Sequence, residues 1–126
     1  MLPRKGRLQA GSDYQRVYRK GRSYKEDTVI LQALIRKGEA AMAVPHPRIG
    51  FIVSRKQGKA AVRNRIRRRI QEAVRMRMDI ISLQPVDLIF IGRASMYLSS
   101  WNEVQSTIDH LLIRAGLILY QEQPES

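Results

Sequence analysis

The sequence predicts an α+β domain: one sheet covered by helices, in the order helix, strand, strand, helix, strand, helix. Three observations carry this. Apolar residues make up 44% of the 126, enough for a core in a chain of single-domain length. Three segments, around 12–20, 59–79 and 100–115, place apolar residues at helical spacing on one face. Three others, 28–36, 49–54 and 86–91, are short apolar runs of strand character.

Taken in order, residues 1–11 read as a basic, flexible arm, Met1-Leu2-Pro3-Arg4-Lys5-Gly6-Arg7 being its start. Ser12 suits an N-cap and Asp13 the first turn of a helix. Tyr14, Val17 and Tyr18 share one face of that helix, and Gly21 ends it. Residues 28–36 read as a strand, Gly38 to Pro47 as a connection, and Ile49 to Ser54 as a second strand. The short link between these strands predicts an antiparallel relation.

A long helix follows over about 59–79. Val62, Ile66, Ile70, Ala73 and Val74 form its apolar face, with Asn64, Arg67, Arg68, Gln71 and Arg75 opposite. Arg65 lies on one flank and Arg63 near the other. Pro85 breaks the chain, and Val86 to Ile91 is apolar enough for burial on both faces of a sheet. The last helix starts at Ser99 or Ser100, where Ser100 and Glu103 have capping-box spacing. Trp101, Val104, Ile108, Leu111, Leu112 and Ala115 form its apolar stripe, Gly116 stops it, and the tail 121–126 reads as frayed.

Charge is concentrated rather than spread. The net charge is +12, from 23 basic and 11 acidic residues. Residues 1–25 hold eight basic groups and one acid, and residues 55–77 hold ten and one, leaving the remainder at −4. A surface shaped by solubility mixes signs throughout. Within 59–77 the only acid is Glu72, so Arg63, Arg67, Arg68, Arg69 and Arg75 repel one another. Phosphates would relieve that repulsion, and arginine's planar fork binds them bidentately. The stretch Ser54-Arg55-Lys56-Gln57-Gly58-Lys59, between strand and helix, can aim backbone N–H groups at a phosphate, a weaker signal. The bland alternative for the helix is a solvated face.

The chain has no cysteine, which excludes disulfides and thiolate sites and fits a reducing compartment. The basic opening and the short apolar runs are unlike a secretory signal or a membrane span. A cytoplasmic protein is expected, with no membrane partner. His46 and His110 lack metal-ligand spacing, and Asp79 and Asp87 read as isolated acids. Nothing pairs a nucleophile with a base, so no catalytic residue and no protein-bound metal are expected. Helix-turn-helix, zinc-finger and zipper patterns are absent, so RNA is favoured over DNA.

The block Arg48-Ile49-Gly50-Phe51-Ile52-Val53-Ser54-Arg55-Lys56-Gln57-Gly58-Lys59-Ala60-Ala61-Val62-Arg63-Asn64-Arg65-Ile66-Arg67-Arg68 resembles the signature of the protein subunit of bacterial ribonuclease P. Arg7-Leu8, the run Asp13 to Gly21 with its two tyrosines, and the run Asp87 to Arg93 are similar to the same family's opening, first helix and last strand. The resemblance spans roughly residues 7–116.

It implies a single mixed β-sheet packed with helices, an α–β sandwich resembling the second domain of a small-subunit ribosomal protein. It also implies a left-handed crossover around the basic helix, against the usual right-handed rule. The implied enzyme is a ribonucleoprotein that removes the 5′ leader of precursor tRNA. The RNA subunit performs the chemistry with magnesium, bound mainly by that subunit, and no organic cofactor is needed. Lys59, Arg63, Asn64, Arg65, Arg67 and Arg68 would contact the RNA subunit. Tyr14, Tyr18, Ser54, Arg55 and Lys56 would line a cleft for the leader. Stacking on tyrosine is worth roughly 1–3 kcal/mol per base, although core packing with Val17 suits both rings as well. A further leader-stacking aromatic of some relatives falls here at Gln32. The partners implied are the RNA subunit and precursor tRNA, with no obligate protein partner. A structural RNA-binding protein and a protein-only nuclease are the competing classes. The second would need clustered carboxylates.

Overall fold

The near-continuous apolar run at 86–91 becomes the middle of the sheet. The computed structural model describes residues 6–118. Within them the elements are α1 (Gly11–Lys20), β1 (Arg22–Lys25), β2 (Val29–Ile35), α2 (Gly38–Ala43), β3 (Arg48–Ile52), α3 (Ala60–Arg75), α4 (Met78–Ile81), β4 (Val86–Gly92) and α5 (Trp101–Arg114). Two 3-10 turns, Arg55–Gln57 and Ala94–Leu98, lead into α3 and α5. The four strands are ordered β1-β2-β4-β3. β2 runs antiparallel to β1 and β4, while β3 runs parallel to β4. A mixed sheet packed with helices is therefore what the chain forms.

Strand alternation sends two sets of side chains to opposite faces. Val29, Leu31, Ala33, Ile49, Leu88 and Phe90 meet Ile66, Ile70, Ala73 and Val74 of α3 and Val104, Ile108, Leu111 and Leu112 of α5. On the other face Ile89, with half-buried Leu34, Ile52 and Ile91, meets Val17 of α1, Leu8 and Tyr14. Val17 and Ile89 are both fully buried, each worth about 1.5–3 kcal/mol of apolar burial.

Several expectations are corrected. β3 does run opposite to β2 but does not pair with it, because β4, the strand that buries both faces, inserts between them. β1 went unread because Arg22, Ser23 and Lys25 are exposed and an edge strand needs only its backbone to pair. The connection 38–47 contains the short helix α2. The long basic helix ends at Arg75. Arg77 leaves helical geometry and turns its guanidinium back to Ala73 O at 2.8 Å and across to Asp109. Ala10, not Ser12, occupies the α1 N-cap, without a side-chain cap, and Gly21 ends the helix in extended geometry.

Arg7 and Leu8, expected in the basic arm, are held by the sheet. Arg7 bridges Ile49 in parallel, the Leu8 N–H donates to Ile49 O at 3.1 Å, and Leu8 is buried. Residues 1–5 of the arm and the tail 121–126 lie outside the described residues. Trp101 is not in the core; it keeps 37% of its surface exposed. The α5 capping box forms as read, and Gly116 stops the helix with φ of 76°.

Candidate nucleic-acid interface

α3 lies on the sheet as a ridge with two different flanks. Its buried stripe fixes which side chains face out. Lys59, Asn64, Arg65 and Arg68 are exposed and Arg63 and Arg67 half-exposed. Arg63 and Arg67 fall on one flank and Arg65 and Arg69 on the other. The Arg63 Nε–H donates to Gly58 O at 3.1 Å, which ties the first turn to the loop before it. Arg67 donates to Asn64 Oδ1 at 2.8 Å. Arg65 sits over the Tyr97 ring, 5.6 Å from its centroid. The Arg-Asn-Arg motif is thus divided between the flanks.

The ridge stays uncompensated. Glu72 is bound to Arg75 at 2.5 and 3.0 Å, and that hydrogen bond holds its carboxyl below the usual carboxylate range. Among the described residues none of Arg55, Lys56, Lys59, Arg63, Arg65, Arg67 and Arg68 has a carboxylate partner. Arg69 and Arg77 are different. Arg69 donates to Met96 O and Ser99 O at 2.9 and 2.6 Å, and Arg77 to Asp109 and Ala73 O. Burial, then the neighbouring Arg65 charge, lowers the Arg69 pKa. These two arginines join elements together.

On the β3 side of α3 a groove of about 150 Å³ is lined by Arg7, Leu8, Tyr14, Ile49, Gly50, Phe51 and Gln71. Gly50 is why it exists. A Cβ there would overlap the Tyr14 hydroxyl, so only glycine lets the ring cross β3. Tyr14 is half-buried, and its hydroxyl donates to Leu8 O at 3.5 Å, a long contact. Burial first, then Tyr18 and Asp13, raises its pKa, and burial raises that of Tyr18. The ring therefore packs on the core and also walls the groove, so the two readings of this residue are compatible.

Of the expected leader residues, Tyr14 alone lines this groove. Tyr18 is 44% exposed one turn further along α1. Ser54, Arg55 and Lys56 are exposed just past the end of β3. Gln57 Oε1 accepts from the Ala94 N–H at 2.8 Å and anchors that basic turn to the exit of β4. Gln32 lies on the α1 face of β2, between Ser23 and Ile89. Arg7 and Gln71 line the groove but were not singled out for it. Their signals were the basic opening and the outward face of the helical wheel.

Asp87 is not isolated. It is fully buried, paired with Arg36 and, at 3.0 and 3.1 Å, with Arg48. Arg36 also donates to Val44 O and His46 O at 2.7 and 2.5 Å. His110 is exposed, 3.6 Å from Glu26. Among the described residues no helix is long and apolar enough to cross a membrane.

The Ribonuclease P family profile matches residues 2–116. The ribonuclease P protein component of Clostridioides difficile is 32% identical over 110 residues, covering 87% of this chain and 91% of its own length. That of Clostridium botulinum strain Loch Maree is 32% identical over 114 residues, covering 90% and 97%. Among solved structures, the Staphylococcus aureus RNase P protein superposes with a TM-score of 0.75 at 28% identity, over 89% of this chain and 96% of that one. The Thermotoga maritima protein does so at 0.71 and 23% identity, over 86% and 96%, a likeness of fold. With the profile running almost from end to end and the sheet order in place, the chain belongs to the ribonuclease P protein family.

Proposed function

We propose that this chain is the protein subunit of a ribonuclease P that removes the 5′ leader of precursor tRNA, with the hydrolysis performed by the RNA subunit. One observation carries the reading: the α3 ridge presents a row of cations without carboxylate partners among the described residues, beside a groove walled by a tyrosine. Lys59, Arg63, Asn64, Arg65, Arg67 and Arg68 bind the RNA subunit. Their fixed spacing along one helix suits a phosphate backbone, and each neutralised phosphate releases counterions. Tyr14 stacks an unpaired leader base in the groove. Tyr18 and the Ser54-Arg55-Lys56 turn continue the path of that strand with further stacking and phosphate contacts. The chain works beside its RNA partners in the cytoplasm.

Magnesium is the metal this reading calls for, and the protein's side chains do not fit it. The groove has no carboxylate on its walls, and the ridge beside it is cationic. Among the described residues no three acidic or histidine side chains cluster where they could hold an ion, and Asp13, Glu26, Glu72, Asp87, Glu103 and Asp109 are each engaged in an ion pair or a helix cap. The ions are therefore assigned to the RNA subunit.

The test is cleavage of precursor tRNA at low magnesium, with and without a bacterial ribonuclease P RNA. The protein alone is expected to give no cleavage, and adding it to the RNA is expected to enhance processing. RNA-catalysed processing that is indifferent to the protein would defeat the proposal. It would leave an RNA-binding protein of another kind.

A further inference from the structure

The second flank of α3 carries a feature that the leader groove and the phosphate ridge leave unused. Arg65, Arg68, Arg69, Glu72 and Trp101 line an open, largely apolar groove of about 450 Å³. Trp101 is 37% exposed, Tyr97 42% and Leu98 88%. Single exposed apolar residues are ordinary, but three within five positions, with Trp101 on the groove wall and Tyr97 under Arg65, mark a contact surface.

The surface is held rigidly. Arg69 grips Met96 O and Ser99 O from α3, Met96 is fully buried, and the Ser100–Glu103 capping box sets the first turn on which Trp101 stands. Arg69 is thus a positioning residue for the rings. The charges around them are one-sided. Arg65 and Arg68 are exposed, with no carboxylate partner among the described residues, and the one acid lining the groove, Glu72, is held by Arg75. An apolar protein partner would gain nothing from two guanidinium groups that lack a counter-charge. A nucleotide offers a flat base for the indole and a phosphate for the arginines, and arginine stacks on bases too.

We propose that this groove between α3 and the start of α5 binds an unpaired nucleotide of the RNA subunit, its base on Trp101 and its phosphate on Arg65 and Arg68. The inference rests on the reading of α3 given above and deepens it, adding base stacking to phosphate contact. The RNA subunit is favoured over the leader because the Tyr14 groove opens past Gln71, on the opposite flank. A strand lying there would have to cross the ridge to reach Trp101.

Trp101 is the only tryptophan in the chain, so tryptophan emission reports on this groove alone. The full-length protein is titrated with a bacterial ribonuclease P RNA, following emission together with the anisotropy of labelled RNA. Quenching in step with complex formation is expected. Trp101→Ala should weaken binding about tenfold, the scale of one stacked base, with the salt slope unchanged. Trp101→Phe, which keeps a ring, should lose less. Binding seen by anisotropy with unchanged wild-type emission overturns the inference and leaves the reading of α3 standing. This arm needs no variant to fold. Quenching by a leader oligonucleotide but not by the RNA subunit also overturns it. So does self-association that Trp101→Ala abolishes, which would assign the surface to a second copy. Absence of any binding by anisotropy removes the reading of α3 and the inference together.

Discussion

Two groups of arginines in this protein stand in opposite electrostatic settings. Arg36 and Arg48 close on one fully buried carboxylate, Asp87, and Arg36 also binds two backbone carbonyls. Arg63, Arg65, Arg67 and Arg68 stand on α3 with no carboxylate at all among the described residues. The first group finds its counter-charge inside the fold and joins the end of β2, the connection 44–46 and the start of β3 to β4. The second has neutral partners within the fold, Gly58 O, Asn64 Oδ1 and the Tyr97 ring, but no counter-charge among the described residues. Residue type does not separate structure from recognition here. What separates them is whether the fold supplies the anion. The first group should therefore answer to denaturants and the second to salt and RNA.

The largest effect should come from the buried group. Asp87→Ala leaves Arg36 and Arg48 facing one another without a counter-charge, and burial already lowers the Arg36 pKa. A loss of about 3–5 kcal/mol is expected on breaking such a pair. Urea unfolding should show it as a lower midpoint, with the salt slope of RNA binding unaltered in the fraction that folds. A variant as stable as the parent would remove the distinction between the groups.

Next comes Gly50→Ala, which separates the groove from the ridge. The new methyl meets the Tyr14 ring, and overpacking of this kind costs about 1–3 kcal/mol. Tyr14 has to swing away, so affinity for precursor tRNA with a leader should fall while affinity for mature tRNA and for the RNA subunit holds. An equal loss for all three would mean that groove and ridge are one site.

How much of this was written in the sequence follows from range. Helices α1, α3 and α5, strands β2 and β4 and the α5 cap were legible because each is a local periodicity or a pair three residues apart. The ridge was legible because charge density along a helix is local as well. The pairing of β3 with β4 instead of β2, and the Arg36–Asp87–Arg48 cluster, depend on residues 39 and 51 positions apart. Local pattern carries no record of such meetings. The tie from Arg69 to the 94–98 turn spans 27 and 30 positions and was invisible for the same reason. The periodicity of α5 put Trp101 in the core stripe, whereas its place in the first turn leaves it beside the ridge.

Arg65→Ala tests the second group directly. Stability should change by no more than about 0.5 kcal/mol, since the residue is exposed and its removal relieves repulsion on Arg69. Affinity for the RNA subunit should fall, and the slope of log K against log salt should shrink by about one unit. An unchanged slope would place Arg65 on a merely solvated face, its contact with Tyr97 notwithstanding.

The smallest effect is expected at Glu72, and it has the opposite sign. Its hydrogen bond with Arg75 keeps the carboxyl below its ordinary range and raises the Arg75 pKa. What the pair adds to stability is therefore present above the ordinary glutamate pKa, about 4.3, and is lost as pH falls through the lower folded value. Both partners are exposed, so the contribution at neutral pH is slight. Glu72→Gln should leave the midpoint of unfolding near neutrality where it was and flatten the acid limb a little. On the RNA side the same change deletes the only acid between 55 and 77, so the ridge gains one net positive charge. Affinity for the RNA subunit should rise modestly, most visibly at low salt where screening is weakest. Weaker binding by Glu72→Gln would mean that Arg75 has to be held by Glu72 to meet the RNA, and would move Arg75 into the first group.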